Sequence, residues 1–192
     1  ALLWGLLVAP LLRARHVHTV HGFIENDAGQ RWRAQRAREL LGRVDAVLAV
    51  HDDLAAALPR VDVVPNCLDP RRLQRLTGDR QRTRRHLGLR EGQKAYLFLG
   101  RLSPEKGADR LAVIQARLQT VSGAARLFVA GAGPLAAGVE AMRDVALLGE
   151  REDFPALLAA VDAVLMPSRR EGLPMTALEA AAMGVPLVAV PV

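Results

Sequence analysis

Short apolar runs alternate with longer segments of helical spacing through the second half of this chain. Ala95–Leu99, Arg126–Ala130, Val145–Leu148 and Ala163–Met166 each hold four or five mostly apolar residues, the length and pattern of buried strands. Between and after them, Lys106–Thr120 (following a Ser-Pro turn), Ala136–Arg143, Phe154–Ala160 and Met175–Met183 read as helices. The last is closed by Gly184 with Pro186 just beyond, a normal helix stop. Val185–Val192 reads as a further strand. Short apolar strands alternating with helices predict an α/β fold whose parallel sheet is covered on both faces. In such sheets ligands bind at the carboxyl ends of the strands.

The first half follows a looser version of the same pattern. Residues 1–13 form an apolar helix that Pro10 kinks or ends. His16–Val20 alternates like a strand and runs into the loop His21-Gly22-Phe23. Residues 29–42 are arginine-rich with helical spacing. Val44–Val50 is a buried strand, Asp52–Leu58 a short helix, and Val61–Val64 a strand stopped by Pro65-Asn66. Residues 70–93 are polar and arginine-rich, a connecting segment with one surface helix, Asp79–Leu87. The opening apolar run is too short to cross a bilayer, which takes about 20 residues, and it lacks the charged lead and cleavage site of a secretory signal. The chain begins at Ala1 inside a helix and stops on a strand, so both ends read as cut from a longer protein.

Composition narrows the picture. Of 192 residues 51% are hydrophobic, ample for a packed core, but only 4% are aromatic, so Leu, Val and Ala must fill it. The single cysteine, Cys67, cannot form an internal disulfide, which fits a reducing, cytoplasmic setting. The net charge of +6 rests almost entirely on arginine; Lys94 and Lys106 are the only lysines, which makes each more noteworthy. Interleaved aromatics for base stacking are missing from the arginine-rich span 70–90, so nucleic-acid binding is not expected. That span is instead a candidate contact for anionic lipid.

Four motifs fall at predicted strand ends. In Gly100-Arg101-Leu102-Ser103-Pro104-Glu105-Lys106-Gly107, Arg101 follows a strand and Lys106 opens a helix. Two cations there can clamp a diphosphate, the arginine through two oxygens and the lysine as a point charge; a solvated turn is the plain alternative. Gly131-Ala132-Gly133-Pro134 admits close approach of a ligand to backbone, or is simply a strand-to-helix turn. It is not a dinucleotide fingerprint, because the third glycine is absent. In PSRREGLPMTALEAAAMGVP, Glu171 and Glu179 stand eight positions apart around a Gly172-Leu173-Pro174 loop that runs into a helix, an arrangement suited to an anion and to hydroxyls. Against that, Thr176–Glu179 matches a helix capping box, which would make Glu179 structural, and Glu171 could be a surface acid. A paired-carboxylate hydrolase is disfavoured by the neighbouring basic residues. Finally, His21 sits at a strand end before glycine, in reach of a ligand, or is a surface histidine. No metal constellation is discernible.

The order PNCLD, GRLSPEKG, LFVAGAGP, VALLGEREDFPALLAAVDAVLMPSRREGLPMTALEAAAMGVPLVAV resembles the retaining glycosyltransferases of GT-B fold, the group 1, family-four class. The likeness covers about residues 17–192 and is strongest from 96 onward. It implies two Rossmann-like domains: 1–69 as part of the acceptor domain, 70–93 as connector, and 94–192 as a nucleotide-sugar donor domain. By resemblance, Arg101 and Lys106 bind the donor diphosphate, and Glu171 holds the donor-sugar hydroxyls. Gly131, Gly133 and the backbone of Gly172, Leu173, Pro174 and Met175 line sugar and phosphates. Glu179 takes the ribose hydroxyls, Leu148 and Gly149 lie near the base, and His21 lies on the acceptor side. The implied reaction moves a sugar from UDP- or GDP-sugar to a glycan or lipid acceptor with retention, without a metal and without a protein nucleophile. It is carried out in the cytoplasm or against the inner face of the membrane. The chain departs from the family in having Cys67 where PNG-type sequences have glycine, and the missing flanks imply little activity by the piece alone. The competing expectation is a non-catalytic sugar-nucleotide-binding or regulatory module of the same fold.

Overall fold

The computed structural model describes residues 2–21, 28–58, 60–76 and 78–191. The chain divides into two compact units, Ala1–Asn66 and Cys67–Val192.

In the first unit, helix α1 (Leu2–Leu11) ends one residue after Pro10. Strand β1 (Val17–Val20), helix α2 (Ala28–Leu41), strand β2 (Ala46–Ala49), helix α3 (Asp52–Ala56) and strand β3 (Val61–Val63) follow. The strands form a parallel sheet in the order β1-β2-β3. Its core includes Val20, Ala34, Leu41, Val47, Ala49, Val50, Leu54 and Leu58, while α1 has no buried residue. His16 and His18 meet edge to face, 5.8 Å between ring centres. Burial, and then the neighbouring His16, push the His18 pKa down. His21 is exposed at the carboxyl end of β1; Gly22 and Phe23 of its loop lie outside the described residues.

The second unit opens with helices α4 (Pro70–Arg75) and α5 (Arg80–His86), so the polar segment carries two helices rather than the single one its pattern predicts. Helix α4 buries Leu73 and has too little apolar signal to be read in advance. Asp79 caps α5 by accepting the Arg82 N–H. Cys67 is exposed and is not among the residues with positive φ. The turn that uses glycine in PNG-type sequences is therefore built here without a left-handed residue.

A five-stranded parallel sheet follows: β4 (Ala95–Leu99), β5 (Arg126–Ala130), β6 (Val145–Gly149), β7 (Ala163–Met166) and β8 (Leu187–Ala189), in the order β6-β5-β4-β7-β8. It is interleaved with α6 (Leu111–Ser122), α7 (Ala136–Glu140), α8 (Phe154–Ala160) and α9 (Met175–Ala182). Alternate side chains of each central strand face opposite layers. Ala95, Leu97, Phe128, Ala130 and Val164 pack with Leu157, Leu158 and Ala180 on one face. Phe98, Leu127, Val129 and Leu165 pack with Leu102, Leu111 and Val139 on the other. Strands buried on both sides need continuous apolar runs, and each fully buried Leu, Val or Phe contributes about 1.5–3 kcal/mol. β8 is an exposed edge of three residues, shorter than the predicted Val185–Val192.

The chain order creates the site. From β4 the chain moves outward to β5 and β6, then crosses back over β4 to β7 and β8. The loops leaving β4 and β7 therefore diverge from adjacent strands, the point in an α/β sheet where a crevice forms at the carboxyl edge.

Candidate functional site

At that crevice Lys106 and Glu171 meet. The loop after β4 carries Lys106 and the loop after β7 carries Glu171, and Lys106 Nζ donates to Glu171 Oε2 at 2.7 Å. Ser168 Oγ donates to the other oxygen, Oε1, at 2.6 Å. Glu171 is thus gripped at both oxygens, and its side chain is 8% exposed, against 35% for Lys106. It is not a surface acid.

Two arginines and a glycine stitch the loops together. Arg169 makes two 2.7 Å bonds to the Asp109 carboxylate and a further bond to the Pro104 carbonyl, and its backbone N–H donates to the Glu105 carbonyl at 2.8 Å. Arg110 returns the contact, donating to the Pro167 carbonyl at 3.1 Å. Gly107 has φ +75°, and a Cβ there would lie 2.1 Å from the Pro167 carbonyl oxygen. Glycine is required both for the conformation and for the close approach. The same residue corrects an expectation: Lys106 does not open a helix. It lies in a turn before left-handed Gly107, a 3₁₀ turn follows at Ala108–Arg110, and α6 starts only at Leu111.

A hollow of about 220 Å³ opens beside the ion pair. It is lined by the strand ends Leu99–Gly100 and Leu165–Met166, by Lys106, Ser168 and Glu171, and by Pro174, Met175 and Thr176 at the start of α9. Pro174 is the residue preceding α9; the Ala177 N–H donates to its carbonyl at 3.1 Å, which leaves Met175 and Thr176 as the first-turn backbone donors. An anion in this hollow would face Lys106 and those donors together. The capping-box alternative fails: α9 begins at Met175, and Thr176 Oγ1 donates instead to the Leu99 carbonyl at 3.3 Å. Glu179 stands in the second turn of α9, half-buried, where burial raises its carboxyl pKa.

The remaining predicted residues of the second unit belong to the same edge or to α9 without lining this hollow. Arg101 is exposed immediately beyond β4, and Gly172 is exposed in the loop before α9, next to Leu173. Leu148 and Gly149 end β6. The Gly131 N–H donates to the Gly149 carbonyl at 2.7 Å, and the Leu102 N–H to the Ala132 carbonyl at 2.8 Å. A Cβ on Gly131 would sit 2.0 Å from the Gly100 carbonyl oxygen, and one on Gly133 2.5 Å from that of Leu102. These glycines let neighbouring loops pack backbone to backbone, a use that the ligand-approach expectation did not contain. His21 belongs to the first unit.

Ser168, Arg169, Asp109 and Arg110 were not singled out from sequence. The one available signal was the Arg169-Arg170 doublet beside Glu171, which does not say which arginine binds what. Among the described residues no group of three His, Cys, Asp or Glu side chains is placed to hold a metal ion, and no helix is long and apolar enough to cross a membrane.

Known proteins agree with this architecture. A family model described as glycosyl transferases group 1 matches residues 93–192, just over half the chain. A 2-deoxystreptamine glucosyltransferase of Streptomyces kanamyceticus is 34% identical over 175 residues, covering 84% of this chain and 45% of the relative. A D-inositol 3-phosphate glycosyltransferase of Mycobacterium marinum is 32% identical over 175 residues, covering 79% and 36%. The chain spans less than half the length of both relatives. Among solved structures, HepE of Anabaena in complex with UDP-glucose superposes with a TM-score of 0.80 at 23% identity, over 98% of this chain and 56% of that one. The fold is accordingly the α/β architecture of GT-B glycosyltransferases. With its switch-point loops carrying the matched segment, this chain belongs to the group 1 glycosyltransferase family.

Proposed function

We propose that the second unit binds a nucleotide-diphosphate sugar, UDP- or GDP-linked, and supplies the donor half of a retaining glycosyltransferase that modifies a glycan or lipid acceptor. The observation that carries this is the Lys106–Glu171 pair, held at the sheet's switch point beside a hollow and the start of a helix. Lys106 and Arg101 are the cations for the diphosphate. Charge builds on that group as the sugar leaves, so fixed positive charge there accelerates transfer. Glu171 accepts from hydroxyls of the donor sugar, and the backbone of Gly172, Leu173, Pro174 and Met175 lines the phosphates and sugar. Glu179 is the acceptor for ribose hydroxyls. Gly131 and Gly133 shape the floor, with Leu148 and Gly149 toward the base. His21 is assigned to the acceptor side by resemblance alone. We assign the diphosphate's charge to Lys106, Arg101 and backbone donors without a metal, and place the reaction in the cytoplasm, with anionic lipid as a peripheral contact.

The test is a thermal-shift panel of the chain with UDP, GDP, ADP and their sugars, because a ligand that binds only the folded state raises its Tm by mass action. One uridine or guanosine series should stabilise the wild type and shift Lys106→Ala far less at the same ligand concentration. Equal stabilisation of both proteins would contradict the assignment.

A further inference from the structure

Taking the donor-site reading as its premise, we propose that Ser168 is a positioning residue that keeps the Glu171 carboxylate aimed at the donor sugar once the diphosphate has engaged Lys106. Glu171 has two holds, Lys106 on Oε2 and Ser168 on Oε1, at 2.7 and 2.6 Å. They are not equivalent. Lys106 is a third exposed, on a flexible stem with three donors of which one is used among the described residues. A diphosphate arriving in the hollow competes directly for that ammonium, and its negative charge also repels Oε2. Ser168 is 2% exposed, carries a single hydroxyl proton, and closes the short turn through Arg169 and Arg170 onto Glu171. An anion entering the hollow reaches the exposed ammonium more readily than this buried hydroxyl, which is already committed to the carboxylate.

The consequence is a division of labour between the two oxygens. With the phosphates on Lys106, Oε2 is released to accept a sugar hydroxyl, while Oε1 stays pinned by Ser168. Without the serine hydroxyl the carboxylate can rotate to follow the ammonium, and the hydroxyl contact is lost. Ser168 therefore contributes to recognition of the sugar and hardly at all to recognition of the nucleoside diphosphate. A residue that merely supported the fold would weaken both alike.

Calorimetric titration of UDP and UDP-glucose into wild type, Ser168→Ala and Ser168→Cys separates these cases, with Tm recorded for each protein. For Ser168→Ala, UDP-glucose should lose about tenfold in affinity, the scale of one hydrogen bond to a charged group, while UDP changes by less than about twofold. Cysteine, nearly the same size but a weaker donor, should fall between. Parallel losses for the two ligands, or no loss for either, would overturn the role of Ser168. If Ser168→Ala does not fold, Ser168→Cys decides: an unchanged UDP-glucose to UDP ratio overturns the proposal. Should the wild type bind neither ligand, nor their guanosine counterparts, the donor-site reading itself falls and this inference with it.

Discussion

At the amino end of the five-stranded sheet Asp162 gathers Arg80 and Arg84; at the carboxyl end Glu171 gathers Lys106 and Ser168. Both clusters join an acid to a cation from a distant part of the chain, and both are partly buried. They differ in what is left over. Arg84 donates to the carbonyls of Ala160 and Gln93 and to Asp162, and Arg80 donates to those of Ala159 and Val161 and to Asp162. Asp162 also accepts the Ala95 N–H at 2.8 Å. Two of the three bonds of each arginine go to backbone carbonyls, which fastens α5 to the end of α8 and to the start of β4 and β7. Lys106 donates to Glu171 alone among the described residues, beside a hollow into which its other protons can point. A charge cluster committed largely to main-chain carbonyls reads as a structural joint; the one with spare donors at the switch point is the one we propose as the binding site.

The contrast is broken most forcefully by Asp162→Ala. Arg84, whose side chain is 11% exposed, would lose its charged partner and the Ala95 N–H its acceptor. Urea denaturation should show a loss of about 3 kcal/mol. The fraction that remains folded should bind UDP-glucose with wild-type affinity. Lys106→Ala should do the reverse. Affinity for UDP-glucose falls about 50-fold, roughly 2.3 kcal/mol, with a smaller change in urea midpoint than Asp162→Ala produces. Gly107→Ala lies between, because it alters the joint between the loops. The left-handed conformation alone costs about 1 kcal/mol, and the contact with Pro167 must open. We expect affinity to fall about tenfold because Lys106 is displaced, an effect that titration of the folded variant would measure.

The smallest effect is the pH dependence of the Arg169–Asp109 clamp. The Arg169 hydrogen bonds hold the Asp109 pKa below the ordinary carboxylate value. The folded pKa is the depressed one, so the clamp's contribution is complete above the unfolded value of about 4. It is lost as pH falls through the lowered folded value. Both side chains are more than a third exposed, so solvent screening keeps the contribution below about 0.5 kcal/mol. Asp109→Asn should remove that part of the acid limb in a stability–pH profile while leaving the rest in place.

Much of the second unit was legible in the sequence. Ala95–Leu99, Arg126–Ala130, Phe154–Ala160 and Ala163–Met166 form at the predicted residues, because burial on both faces demands unbroken apolar runs. The Lys106–Glu171 neighbourhood was legible through motif order, since consecutive strand ends of a parallel sheet share one edge. What could not be read was the stitching. Arg169 and Asp109 are 60 positions apart, and neither obeys any periodicity. Gly107 delays the start of the expected helix for a reason that lies in the loop after β7, not in its own neighbourhood. The Asp162 network was invisible for the same cause: its arginines sit in a basic segment where Arg80 and Arg84 look no different from Arg82 and Arg85.

The most direct measurement is a crystal structure of the chain with UDP-glucose or the nucleotide sugar that the thermal panel selects. The account predicts phosphate oxygens within about 3 Å of Lys106 Nζ, and a sugar hydroxyl on Glu171 with the Ser168 bond retained. A ligand seated elsewhere, for instance among Arg90, Gln119 and Arg126 in the polar hollow at the amino end of the sheet, with the Lys106–Glu171 pair undisturbed, would contradict it.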